Sequence, residues 1–409
     1  MITYREALAR VLDAAAPLPP RRVPLGEALG RVAAEDVVAA YPVPPFTNSG
    51  MDGFAVRAAD VAGAREDAPA VLRVLADLPA GQVATGDVTP GTALRIMTGA
   101  PVPGGADAIV PVEWTTAAAD RVAVRRPVRP GANVRPAGED VPAGERVVAR
   151  GAVLRPGDIG VLAEVGCAAI AVVPRARLAV ITTGDELVDA AARPGPGQIR
   201  DSNLHAVGAQ AAAFGAVGVA FPRVPDRRAD LEQALRQAAA AADAIVTTGG
   251  ISMGEFDCVK EALEALGAER VFWRVAQKPA GPLGFWRLGG VPVFGIPGNP
   301  VAAMIVMEEY VRPTLRKMMS LPRLFRPERR ALLEAPWERR QADDRLHFLR
   351  VVAAEEAGVW RARLAGRQGS GVLSSMARAN ALALVPPDAG TAAPGAPVLL
   401  HLIEEPEDH

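Results

Sequence analysis

The chain has 409 residues, half of them hydrophobic, and a formal net charge of −1. That length exceeds one ordinary core and predicts two to four globular domains. The near-zero charge offers no pull toward nucleic acid or an acidic membrane face, and no apolar run is long enough to span a bilayer. The two cysteines, Cys167 and Cys258, make no CxxC pair and no Cys/His cluster, which weighs against structural zinc and fits a reducing compartment. A cytoplasmic protein that binds neither nucleic acid nor membrane is the expectation. Of the 45 basic residues only Lys260, Lys278 and Lys317 are lysine, so each lysine carries more information than an arginine.

In chain order, "MITYREALARVLDAA" reads as an amphipathic helix rather than a signal peptide. Tyr4, Leu8, Val11, Leu12 and Ala15 share one face, and Thr3 with Glu6 makes a capping box. Residues 1–40 as a whole read as helices. "YPVPPFTNSGMDGFAV" (41–56) breaks that pattern. From about 70 to 150, short apolar stretches alternate with Gly/Pro turns, which is an all-β pattern. Residues 156–166 read as helix. From about 177 strands and helices alternate: "RLAVITTGDEL", a helix over 203–214, an extended stretch over 216–224, a helix over 226–242, "DAIVTTGG", a helix over 256–267, and "VPVFGIPGNPVAAMIVMEEYV". Such alternation predicts a doubly wound α/β layer with parallel strands. The tail from about 324 returns to short strands and predicts a small β-barrel.

Three of these strands end in unusual loops: "TTGDEL" (182–187), "TTGGISMGEFD" (247–257) and "GIPGNP" (295–300). In an open α/β sheet, ligands bind outside the carboxyl ends of the strands, so all three should open on one edge. The backbone of Gly184, Asp185, Gly249, Gly250, Ser252, Gly254, Pro297, Gly298, Asn299 and Pro300 can then approach a ligand closely, and the residues among them other than proline can offer N–H groups to phosphate. Glu186, Asp257 and Asp201 of "QIRDSN" would crowd the same edge. Two unit charges about 5 Å apart repel by roughly 3 kcal/mol at an effective dielectric near 20. A divalent cation resolves the conflict, and Mg(2+) commonly bridges one or two carboxylates to substrate phosphates. Each acid taken singly also reads as a helix cap: Asp201 before Asn203, Asp226 opening a helix, Asp257 near another N-terminus.

The ordered set of motifs is more specific than any of them alone. "NSGMDGFAV" (48–56), "RIMTGAPVPGGADAIVPVE" (95–113), "NVRPAGED" (133–140), "TTGDEL", "IRDSN", "TTGGISMGEFD", "FWRVAQKPAGP" (272–282), "GIPGNPV" and "RQGSG" (367–371) follow one another along essentially the whole chain. Together they resemble the molybdopterin molybdenumtransferase family, the bacterial relatives of the gephyrin E domain. The resemblance implies a multidomain α/β plus β chain in four parts. These are an elongated linking domain (1–43 and 141–176), an inserted β-rich domain (44–140), an α/β molybdopterin-binding domain (177–322) and a C-terminal β-barrel (323–409). It implies a homodimer with the active site shared between subunits, contact with other molybdenum cofactor synthesis proteins, and Mg(2+) as the assisting ion. The implied reaction inserts molybdate into adenylylated molybdopterin and releases AMP.

Carried over by motif, Asp52, Thr98 and Asp140 stand on the β side of the cleft. Glu186, Asp226 and Asp257 stand on the α/β side, with Asp201 nearby and Glu186, Asp201 and Asp257 as metal ligands. Lys278 is implied to meet phosphate or molybdate, and Arg350 and Ser370 to hold the oxyanion. The chain departs from the family at Gly50, Arg274, Gly281 and Ala302. The last two remove a possible phosphate anchor and a possible donor to molybdate. No acid is lost. Three other readings remain: a scaffold, since the gephyrin E domain also binds receptor peptides; the related adenylyltransferase, which lacks the extra β domains; and a generic Rossmann oxidoreductase, which would need an early G-x-G-x-x-G.

Overall fold

In the computed structural model, which describes residues 1–221, 223–250, 258–339 and 344–404, the first helix is Tyr4–Asp13. Thr3 caps it by accepting from the Glu6 amide at 3.2 Å. The Glu6 carboxylate does not complete the box but takes Arg10 at 2.7 Å, one turn on. Ala7, Val11 and Ala15 are buried and Tyr4 and Leu8 pack at the edge, so the inward face centres on Ala7, which the sequence pattern missed. The helical reading of residues 1–40 fails beyond this point. Pro17, Pro19 and Pro20 have no N–H to donate. After them come short strands at Arg21–Pro24, Val32–Ala33 and Val37–Val38, with one helical turn at Leu25–Ala28.

The chain divides into two units: Met1–Arg21, Gly30–Val32 and Val172–His409 form one, and Arg22–Leu29 with Ala33–Ala171 form the other. The second of these is strand-rich, as its Gly/Pro-punctuated sequence predicts. Its main sheet runs in the order Ala108–Pro111, Gly53–Val56, Thr92–Ile96, Ala70–Leu78, Arg121–Val124, Thr115–Ala118. Both faces of its centre are buried: Phe54, Val56, Ala93 and Val110 on one side, Ala55, Leu94, Ile96 and Ile109 on the other. The glycine of "MDGFA" follows from this packing. A Cβ on Gly53 would lie 2.0 Å from the Val110 carbonyl oxygen, a contact no side chain tolerates.

The larger unit contains the α/β layer. Its strands are β1 (Arg177–Thr182), β2 (Val217–Ala220), β3 (Ala244–Thr248), β4 (Glu269–Trp273), β5 (Gly284–Leu288) and β6 (Val291–Ile296), in the spatial order β2-β1-β3-β6-β5-β4. The first four in that order are parallel, as expected. β5 runs antiparallel to both its neighbours, β6 and β4, which the alternation did not reveal. The signal was present: Gly289 and Gly290, both at positive φ, form a two-residue turn between β5 and β6. Helices cover both faces. Leu178, Val180, Val246 and Phe294 pack with α1 (Asn203–Ala213), and the intervening Ala179, Ile181, Ile245 and Val293 pack with α2 (Arg228–Ala241) and α3 (Cys258–Ala265).

After β6 the chain enters α4 (Pro300–Val306), widens into a π-helical turn at Met307–Val311 and resumes as α5 (Arg312–Met318). The barrel follows: β7 (Glu328–Leu333), β8 (Leu346–Glu356), β9 (Val359–Leu364), β10 (Ala381–Val385) and β11 (Pro397–Leu402) close into a five-stranded ring in the order β8-β9-β7-β11-β10. Closure removes the exposed strand edges.

The π-helical turn buries two adjacent glutamates, both 4 % exposed. Glu308 takes Arg326 at 2.9 Å and the Gln210 amide at 3.0 Å. Glu309 takes the Tyr4 hydroxyl at 2.7 Å and His401 of β11 at 2.9 Å. The groups facing His401 are Glu309 and Glu328, with Tyr4 beyond Glu309. Burial pulls the His401 pKa down, but the hydrogen bond and charge of Glu309, helped by Glu328, outweigh it and the net shift is upward. A raised folded-state pKa contributes stability in full below the unfolded value and loses it as pH rises through the folded value. His401→Gln is therefore expected to cost about 2 kcal/mol at acidic pH. Its Tm difference from wild type should be largest below about pH 6.5 and should narrow as the pH is raised above the folded pKa. A thermal-melt series against pH for both proteins checks this.

Candidate functional site

The parallel register sets Thr182 beside Thr248 and Thr248 beside Ile296. The chain therefore leaves β1, β3 and β6 at one edge, as expected. This edge borders a cleft of about 700 Å³ lined in part by Thr183, Glu186, Asp201, Asn203, Thr248 and the run Pro297–Pro300, with Gly371 and Leu373 from the C-terminal region. Gly249 sits at φ 93°, and a Cβ there would lie 2.2 Å from the Thr183 carbonyl oxygen. Gly298 packs against Gly249, where a Cβ would touch its Cα at 3.6 Å. Gly249 thus lets the chain after β3 lie against the chain after β1, with Gly298 packed beside it. Asn203 ties the third loop to α1 by donating to the Gly298 carbonyl at 2.8 Å.

Two threonines at the end of β1 organise the acids. Successive strand residues point to opposite faces. Thr182 points toward α1 and donates to Asp201 at 2.5 Å, and Thr183 donates to Asp226. Asp201 is 6 % exposed, and its other oxygen accepts from the Leu204 amide at 3.0 Å, so it caps α1. Asp226 is not a cap. α2 starts after Arg227 with no side-chain cap bond, and the Asp226 carboxylate turns to Thr183 instead. The Asp226 amide in turn donates to Asp185 at 3.4 Å. Glu186 is exposed on the cleft wall. Its carboxylate folds back over Gly184, where a Cβ would meet it at 2.5 Å. Gly250 follows Gly249 at positive φ. Ser252, Gly254 and Asp257 lie outside the described residues. Among the described residues, no three His, Cys, Asp or Glu side chains gather as a metal site.

Arg350 lies on β8 and is 1 % exposed. Its Nε donates to Ser375 at 3.1 Å, and its Nη2 donates to the carbonyls of Arg367 at 3.2 Å and Gly369 at 3.1 Å. These partners are all neutral, and among the described residues no hydrogen bond uses Nη1. Desolvation alone moves its pKa down to about 10, so the group remains a cation at neutral pH. Ser370 is half-buried, and its carbonyl accepts from the Val301 amide at the start of α4 at 3.2 Å. Lys278 is exposed and pairs with His347 on the first turn of ladder into β8. Its loop reaches the cleft through Pro282.

In the strand-rich unit, Asp52 and Thr98 meet. One Asp52 oxygen accepts from both the Thr98 amide and the Thr98 hydroxyl at 2.7 Å. These two bonds, with Arg95 nearby, hold the Asp52 carboxyl below the usual carboxylate range. Asp140 is apart from that pair. It lines a separate hollow of about 480 Å³ with Val43, Asn48, Arg135 and Glu164. Sequence reading missed Thr182, Thr183, Asn203 and Ser375. The doubled threonine was the available signal, because hydroxyls at a strand end next to a ligand edge need acceptors.

Three family models match this chain in order: the MoeA N-terminal region (domain I and II) over residues 2–166, a probable molybdopterin binding domain over 179–317, and the MoeA C-terminal region (domain IV) over 333–403. The chain is 40 % identical over 403 residues to Molybdopterin molybdenumtransferase 2 of Mycobacterium tuberculosis (strain H37Rv), covering 96 % of each chain. It is 33 % identical over 386 residues to Molybdopterin molybdenumtransferase of Staphylococcus aureus (strain COL), covering 94 % of this chain and 91 % of that one. A solved molybdopterin biosynthesis moeA protein from Pyrococcus horikoshii superposes with a TM-score of 0.74 at 30 % identity, over 98 % of this chain and all (100 %) of that one. A second solved moeA structure from that organism gives 0.81 at 28 % identity, over 99 % and 100 %. With this identity sustained over nearly the full length and the three regions in their order, the chain belongs to the molybdopterin molybdenumtransferase (MoeA) family.

Proposed function

We propose that the protein inserts molybdate into adenylylated molybdopterin with release of AMP, completing the molybdenum cofactor. The relatives' names supply the reaction class. The observation that carries the oxyanion step is Arg350, a nearly fully buried cation whose hydrogen-bond partners are neutral and whose Nη1 amine is unused among the described residues. A buried charge without a counter-ion is costly, and a dianionic oxyanion would supply one. Arg350, Ser370 and Lys278 are read as the molybdate end of the site. The glycine-bearing loops after β1, β3 and β6 are read as the cradle for the molybdopterin phosphates.

The acids divide by environment. Asp201 is committed to Thr182 and to the α1 amide, so its role is to hold the cleft wall. Asp226 has an oxygen beyond the one Thr183 engages, and Glu186 is exposed in the cleft. Mg(2+) takes one or two carboxylates and fills its remaining positions with water and substrate phosphate. Glu186, with Asp226 in support, fits that demand. When bound, the ion neutralises pyrophosphate charge as the link to AMP breaks. The chain's own part is positioning: it fixes the phosphates by backbone N–H groups and holds the acceptor oxyanion by a cation. A homodimer is part of the proposal, with the Asp52–Thr98 pair of one chain serving its partner's cleft. The exposed Asp52 carboxylate, kept ionised by Thr98, is suited to that use.

Glu186→Gln is expected to slow AMP release by about a hundredfold and to raise the magnesium concentration needed for half-maximal rate. Its Tm should stay near wild type, because the residue is exposed. AMP release against magnesium, with a melting curve for each protein, checks both points. A near-normal rate and magnesium dependence removes Glu186 from the site.

Dimer sharing has a separate test. Asp52→Ala and Glu186→Gln are each expected to be poorly active as homodimers. Mixed dimers should regain activity toward half of wild type, because one of their two clefts carries neither change. No recovery in purified heterodimers would mean that each site draws on one chain alone.

A further inference from the structure

The ladder between β8 and β9 ends with Val351 opposite Leu364. One more bond follows, from the Ala365 amide to the Arg350 carbonyl at 2.9 Å. The chain then leaves β8, and a side chain takes the place of the missing strand. Gln368 accepts the Arg350 amide on Oε1 at 2.9 Å and donates from Nε2 to the Arg350 carbonyl at 3.0 Å. The same Nε2 donates to the Gly366 carbonyl at 2.9 Å. This two-way exchange is what a neighbouring peptide makes in an antiparallel pair. The chemistry fixes the amide's orientation, since an N–H meets only the oxygen and two carbonyls meet only the NH₂.

Arg350 returns the contact. Its guanidinium holds the carbonyls of Arg367 and Gly369, the residues on either side of Gln368. Each residue therefore positions the other's backbone, and the segment between them leads to Ser370, whose carbonyl docks on the Val301 amide. Ser375 receives Nε and completes the alignment of the guanidinium plane.

We propose that Gln368 is a positioning residue for oxyanion acceptance. It sets the place of the Arg350 guanidinium and of the Ser370 loop while its own amide is consumed by protein groups. The inference rests on the reading of Arg350 and Ser370 as the molybdate end. A planar fork binds an oxyanion only when its N–H groups are aimed correctly, so a small shift of the β8 backbone at Arg350 weakens binding.

The test compares Arg350→Ala, Gln368→Ala and the double variant by molybdate KM and kcat in AMP release, and by calorimetric titration with molybdate alone. In Gln368→Ala, molybdate KM and Kd are expected to rise about tenfold or more while kcat stays within about twofold of wild type. Arg350→Ala should show a larger rise, and adding Gln368→Ala to it should change nothing further. Normal molybdate values in Gln368→Ala beside raised values in Arg350→Ala overturn the positioning role and leave the oxyanion site standing. Normal values in both overturn the site reading itself. A full additional rise in the double variant also overturns the proposal, because the residues would then act independently. If Gln368→Ala does not fold, Gln368→Glu carries the test. It keeps the length and the acceptor for the Arg350 amide but loses the donor and sets an anion near the guanidinium. Raised molybdate KM and Kd with Tm kept supports the proposal, and unchanged values contradict it.

Discussion

Two consecutive hydroxyls at the end of one strand fix the geometry of the α/β edge. Because β1 alternates its side chains, Thr182 and Thr183 reach opposite sides of the sheet and each engages an aspartate from a different segment. Asp201 is thereby pinned at the start of α1, and Asp226 just ahead of α2. The glycines of the neighbouring loops exist in that frame. Gly249 must pass within contact of the Thr183 carbonyl, and Gly298 must pass Gly249. A side chain at Gly249 would push the loops after β1 and β3 apart, whereas one at Gly298 would make only ordinary contact with Gly249. The acids therefore differ in setting: Asp201 is buried and hydrogen-bonded to Thr182 and the Leu204 amide, and Glu186 is exposed in the cleft.

Charge is managed differently at two places in the larger unit. Around the π-helical turn, buried Glu308 and Glu309 meet Arg326 and His401, so charge is compensated within the fold. Arg350 is buried to a similar degree, yet its hydrogen-bond partners are a hydroxyl and two carbonyls. A fold that pairs its buried glutamates and leaves a buried arginine with neutral partners distinguishes a locking contact from a receptive one. Breaking a buried pair typically costs about 3–5 kcal/mol, which is why the first arrangement suits architecture. The second suits binding of an anion.

Much of this was legible in the sequence, for identifiable reasons. The α/β layer followed from alternating apolar strands and helices, and the shared edge followed from loop glycines after parallel strands. The barrel was readable from short strands broken by Gly and Pro. What escaped depends on tertiary contact. The reversed β5 carries the same apolar composition as the parallel strands, and only the Gly289–Gly290 turn after it distinguishes it. The helical reading of residues 1–40 overweighted alanine and ignored four prolines within eight residues, Pro17 to Pro24. Buried Glu308 and Glu309 look like a solvated face until a π-helical turn rotates both inward. Asp201 and Asp226 looked alike as helix-capping acids, and only tertiary contact separates them: Asp201 accepts from the Leu204 amide as well as from Thr182, whereas the Asp226 carboxylate turns to Thr183 and caps nothing. Gln368 stood inside the "RQGSG" motif, but its role was not legible there, because a side chain completing a ladder depends on where the strand ends.

The central claim is that this chain couples use of molybdate to release of AMP. Purified protein supplied with adenylylated molybdopterin and Mg(2+) provides the direct measurement, with AMP and molybdenum cofactor quantified as molybdate is titrated. The account predicts AMP and cofactor appearing in equal amounts, both saturating with molybdate and both near background without it. AMP release at the same rate with and without molybdate, or cofactor failing to form while AMP is released, would contradict it.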